Sequence, residues 1–140
     1  MYVAAYAHAA RRLGADRTTS SQLERVGRQM FGPRWGGVHA RDTLPAVART
    51  GRRGIIVNTD ASTGQGVHWI AVLDEDGTRA MSDPLGAVGV AQRRALDAIE
   101  QPVWSEDDAE QDRRESTCGP KSLAAIAVGL AHGQDAFLGV

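Results

Sequence analysis

One cysteine, one lysine and no long apolar run mark the limits of this 140-residue chain. A single thiol excludes an intramolecular disulfide and leaves no Cys-based zinc site. Cys118 is therefore either a small buried apolar residue or a reactive thiol. No run approaches the roughly 20 apolar residues of a membrane span. The positive charge of the first twelve residues, Arg11 and Arg12, follows the apolar stretch; a secretory signal carries it before, so none is read here. Fifteen of the sixteen basic residues are Arg, with Lys121 the exception. That bias fits a GC-rich genome as well as selection for guanidinium chemistry. A formal charge of −1 argues against nucleic acid as the main source of affinity, though not against a local patch. Repeats, low-complexity stretches and phosphate-loop patterns are missing too.

What is present has the balance of an ordinary globular protein, 42% hydrophobic and 24% charged, at a length suited to one domain over 1–140. Residues 2–13 read as a helix ended by Gly14. A second helix is expected from Ser21, with Ser21 and Glu24 as a capping box and Leu23, Val26 and Met30 on one face. Gly32-Pro33 stops it. Residues 33–41 read as a loop, and Asp42 caps a short helix holding Leu44 and Val47 that Gly51 closes. A β-type run follows over 54–59, then a polar loop over 60–65 and a strand over 67–73. Asp76-Gly77 is a two-residue hairpin signal, with its partner strand over 78–82 and a turn at Asp83-Pro84-Leu85-Gly86. Residues 90–100 read as an amphipathic helix and 105–115 as a charged loop. A last helix starts near Cys118, with Leu123, Ile126, Ala127 and Leu130 on one face and Gly133 at its end. Helices, then strands, then helices make an α+β plan.

Four residues carry candidate chemistry. Cys118, in Ser116-Thr117-Cys118-Gly119-Pro120, stands where unpaired N–H groups and the helix dipole favour a thiolate. Pro120 costs nothing in a first turn, and Gly119 lets the backbone pass close to a substrate. His68 shares a strand face with Ile70 and Val72; it is either a satisfied core histidine or a base facing a cleft. Asp83 closes the next strand. The hairpin sets residues near 71 opposite residues near 82, which brings a carboxylate to the level of His68. Asp before Pro is also a common turn start. Gln111, seven residues before Cys118, is an oxyanion-hole donor or a random glutamine in a charged loop.

Taken in order, these elements resemble the adenovirus endopeptidase family. Ile56-Val57-Asn58-Thr59, a polar loop and Gly66-Val67-His68-Trp69 are similar to the surroundings of its catalytic histidine. Asp83-Pro84-Leu85-Gly86 resembles its acidic turn, and Gln111 with Cys118-Gly119 matches its oxyanion glutamine and nucleophile. The similarity runs over roughly residues 18 to 132. It implies a papain-like α+β fold, with a central, mostly antiparallel sheet flanked by helices and the cysteine at a helix N-terminus. It also implies a Cys118–His68–Asp83 triad, an oxyanion hole of Gln111 and the Cys118 N–H, and Gly119 and Trp69 beside the substrate. Trp69 shields the imidazole or simply fills core.

By the same resemblance the activity is viral maturation proteolysis of capsid and core precursor proteins, in the virion and the infected cell (nucleus or cytoplasm). No metal or other cofactor is required. A non-covalent peptide activator and DNA, with Arg52-Arg53, Arg93-Arg94 and Arg113-Arg114 as basic pairs, are further implied partners; a membrane is not. With no second cysteine, activation through a disulfide is excluded. The chain stops 22 residues after Cys118, sooner than the family, so either this is a reduced version or another chain supplies the missing surface. Two alternatives stand beside this reading: an enzyme that removes ubiquitin-like modifiers, and an inactive virion structural protein that keeps a protease-like fold. Other polar and aromatic residues carry less. His39 reads as a loop residue, His8 and His132 lack metal spacing, and Trp35 and Trp104 read as loop aromatics.

Overall fold

The computed structural model describes residues 1–13, 19–58, 69–82, 103–104 and 118–140, with the main chain alone at 103, 104 and 118. Helix α1, Tyr2–Leu13, is alanine-rich, buries Ala9 and Leu13, and ends with Arg11 and Arg12 against its negative dipole end. Helix α2, Ser20–Phe31, begins one residue earlier than the expected cap. Thr19 is the N-cap: its hydroxyl accepts from Gln22 N at 3.2 Å, and the Gln22 side chain accepts from Thr19 N at 2.8 Å. Glu24 is thereby left for tertiary bonds. Gly32–Arg34 forms a 3-10 turn after α2.

Five strands follow in a sheet ordered β1-β2-β3-β4-β5: β1, Trp35–Ala40; β2, Arg52–Asn58; β3, Trp69–Glu75; β4, Thr78–Ser82; β5, Val103–Trp104. The two inner pairings, β2/β3 and β3/β4, are antiparallel, while the outer strands join in parallel. The sheet is therefore mixed, and the α+β class holds. The β3/β4 turn matches its Asp-Gly signal, with φ of 46° at Asp76 and 87° at Gly77, the two left-handed residues of a type I′ hairpin.

Two expectations for 33–51 are corrected. The supposed loop is strand β1, in parallel register with β2 from Val38↔Ile56 to Ala40↔Asn58, with an irregularity after Trp35. Its glycines hide the strand pattern, and only the tertiary partner supplies the ladder. His39 and Trp35 are accordingly strand residues, not loop residues. The short helix after Asp42 does not form. Residues 44–48 are held extended, because their polar groups are spent on the sheet. Arg79 Nη2 donates to Pro45 O at 2.9 Å, Arg53 Nη2 to Ala46 O at 2.6 Å, and Ala48 N to Asp74 Oδ2 at 3.2 Å. An α-helical turn would turn those groups away from these partners.

Helix α3, Cys118–His132, and helix α4, Gln134–Leu138, complete the described chain. Gly133, at φ 95°, separates them. Helix α3 runs in the same direction as β3. Ser122 touches Trp69 at the strand's start, Gly129 fits against Leu73, and Gly133 lies by Glu75 at its end. One sheet face, through Ile56, Trp69, Ala71 and Leu73, packs on α1, α2 and α3 through Leu13, Val26, Leu123 and Ile126. Each such side chain stabilises by about 1.5–3 kcal/mol when fully buried. The opposite face gathers Ile55, Val57, Ile70, Val72 and Met81, with Leu44 packed against them. Burial on both faces explains why β2 reads as an unbroken apolar run.

Candidate functional site

Strand directions bring several chain ends to one edge of the sheet. Trp69 pairs with Asn58, so β3 begins where β2 ends. Ala40 pairs with Asn58, so β1 ends there too. Ala71 pairs with Ser82, so β4 ends one step in from the same edge, as expected from the hairpin. Trp104, last residue of β5, stands beside Met81. The first turn of α3 reaches this edge as well, through Ser122 Oγ, 3.4 Å from Trp69 O.

Of the sequence candidates, Cys118 is the first residue of α3, at a helix N-terminus as expected. Gly119 is buried in the first turn. Trp69, the first residue of β3, is 8% exposed and fills the core between sheet and helices. His68, Asp83 and Gln111 lie outside the described residues, as do the loop over 60–65, the turn over 83–86, the helix expected over 90–100 and the charged segment 105–115. In sequence, His68 immediately precedes β3 and Asp83 immediately follows β4. Gln111 belongs to the thirteen residues joining the end of β5 to the start of α3. Every candidate is thus attached to the same sheet edge.

Sequence reasoning passed over Ser122. It is 1% exposed and lies on the apolar side of α3, four residues after Cys118. Positions four apart share a helix face, so 118 and 122 stand one above the other toward the start of β3. The available signal was a serine interrupting an apolar stripe at that spacing from the cysteine.

Other clusters are structural. Asp74, fully buried, binds Arg79 at 2.7 Å and Arg53 at 2.8 Å. Arg52 pairs with Glu75 at 2.7 Å and also donates to Leu130 O at 3.2 Å. The Arg52-Arg53 pair is therefore committed to internal bonds, which weakens it as a basic surface for DNA. Glu24 accepts from Trp35 Nε1 at 3.2 Å, Val38 N at 2.9 Å and Arg28 Nη2 at 2.8 Å. Burial pushes its carboxyl up, but these bonds outweigh that and hold it below the ordinary glutamate value. A groove of about 700 Å³ runs past Ser20, Ser21, Glu24, Arg25 and Val38, and none of the sequence candidates lines it.

Among the described residues no three His, Cys, Asp or Glu gather as a metal site. Among them too, no helix is long and apolar enough to cross a membrane. No family model and no curated protein matches the chain.

Proposed function

We propose that this protein is a cysteine endopeptidase of the adenovirus-endopeptidase type, acting on virion precursor proteins during maturation. The carrying observation is the shared edge: β2, β4 and β5 end, and β3 and α3 begin, on one side of the sheet. That edge draws a helix-start thiol, the residue before β3 and the residue after β4 toward one place. A segment of thirteen residues whose two ends lie at that edge also keeps Gln111 within reach of Cys118.

In the reaction, His68 takes the Cys118 thiol proton and the thiolate attacks the scissile carbonyl carbon. The Cys118 N–H and the Gln111 amide hold the resulting oxyanion. Collapse breaks the C–N bond, and His68 passes its proton to the departing amine. Water, deprotonated by His68, then hydrolyses the thioester and returns the thiol. Asp83 keeps the imidazole in the tautomer that receives the proton. The chemistry needs no metal.

The reading makes one demand on the chain. Ile70 and Val72 lie on the face opposite α3. Strict alternation carried back one residue would aim position 68 away from the helix, so the chain must leave the pleat before Trp69. The test uses the single cysteine. Iodoacetamide should label Cys118 in the folded protein at pH 6.5, and His68→Ala should suppress labelling while the fold, followed by circular dichroism, is kept. Equal labelling of both would sink the reading. Cleavage of a ubiquitin-like fusion in preference to peptides with glycine at the cut would favour the modifier-removing alternative.

A further inference from the structure

The interface between α3 and β3 is hydrocarbon except at one point. Ser122 is 1% exposed, with Leu123, Ala125 and Ile126 of the same helix in the core around it. Its hydroxyl stands 3.4 Å from Trp69 O, a long bond by the usual standard for hydroxyl donors. A buried hydroxyl without a partner costs free energy, so this carbonyl holds it in place. The two residues joined are informative. Ser122 sits one helical turn after Cys118, about 6 Å along the axis at 1.5 Å per residue. Trp69 is the residue next to His68.

We propose that Ser122 is a positioning residue, whose bond to the Trp69 carbonyl sets the start of α3 against the start of β3 and thereby the separation of Cys118 from His68. The proposal rests on the cysteine-protease reading and adds a residue to it. Apolar packing alone permits helix and strand to slide by fractions of an ångström at little cost. A directional bond at this point removes that freedom where proton transfer is most sensitive to it.

Ser122→Ala removes the donor, leaves the space open and raises helix propensity, so the variant is expected to fold. The measurement is the pH profile of Cys118 alkylation by iodoacetamide in wild type, Ser122→Ala, Ser122→Thr, His68→Ala and the Ser122→Ala/His68→Ala double variant. Ser122→Ala should shift the profile toward an ordinary thiol. Its labelling at pH 6.5 should slow by about two- to tenfold, the range of one neutral hydrogen bond. Ser122→Thr, which keeps a hydroxyl, should restore most of the rate. The double variant should be no slower than His68→Ala alone, because Ser122 acts only through that pair. A wild-type profile in Ser122→Ala, with His68→Ala shifted, overturns the positioning role and leaves the protease reading standing. Equal loss in Ser122→Ala and Ser122→Thr marks packing and overturns it too. A wild-type profile in His68→Ala overturns both.

Discussion

Asp74 and Arg79 face each other in register across the β3/β4 hairpin, with Oδ1 of one 2.7 Å from Nε of the other and both side chains buried. Arg53, in register with Asp74 from the other neighbouring strand, adds a second cation at 2.8 Å. Three adjacent strands are thus tied on the face away from the helices, and the guanidiniums reach on to hold residues 45 and 46.

Removing one member should cost far more than the pair contributes net. Asp74→Asn leaves the buried Arg79 cation without its counter-charge and weakens the acceptor for Ala48 N. The expected loss is about 3–5 kcal/mol in urea unfolding, with faster amide exchange at Ala48. A loss under about 1 kcal/mol would mean that water reaches the pair.

Glu24 should make stability pH-dependent. Its folded carboxyl is held below the ordinary value, so its contribution is fully present above the unfolded value. It is lost as pH falls through the folded one. Denaturation midpoints of wild type and Glu24→Gln should therefore differ most near neutrality and converge in the acid range, below about pH 4. A constant gap across that range would assign the effect to packing around Trp35.

Gly54→Ala should destabilise by about 1–3 kcal/mol, because the added methyl would meet Ile126 Cγ2 where α3 crosses β2. Ile126→Val, which removes a different methyl, should recover little, whereas Ile126→Ala in the same background should recover more. The readout is the thermal midpoint of the three variants.

On the protease reading, Asp83→Asn should lower kcat by about a thousandfold or more through the wrong imidazole tautomer. Gln111→Ala should cost about 10²–10³ in kcat with KM little changed. Peptide hydrolysis measured at several substrate concentrations separates the two parameters. A KM effect alone at Gln111 would place it in substrate binding.

Loss of the α2 cap gives a local check. Thr19→Ala should cost about 1 kcal/mol, with fraying confined to the first turn of α2 by amide exchange. No change would mean that the Gln22 side chain suffices.

Local chemistry alone wrote some elements into the sequence. The bounds of α1 and β4, the Asp76-Gly77 turn and the helix starting at Cys118 follow from alanine content, a left-handed turn pair and an apolar stripe. Each of these signals lies within a few residues of the structure it specifies. Strand β1, the extended segment 44–48 and the cap at Thr19 were not legible in that way. Two of them depend on partners far along the chain: β2 for Trp35–Ala40, and Arg53, Asp74 and Arg79 for residues 45–48. At the cap, Thr19 and Ser21 offer equivalent hydroxyls, and only the packing of Leu23 and Val26 against the sheet chooses between them.

The candidate site divides in the same way. The sequence by itself determined which residue types were present and in what order: one thiol before an apolar stripe, one imidazole before a strand, one carboxylate after its hairpin partner. Only the tertiary structure decided that the ends of β2, β4 and β5 and the starts of β3 and α3 share an edge, and that Ser122 meets the Trp69 carbonyl there. Strand order and helix placement are set by long-range burial and pairing, and those energies exist only once distant segments have met.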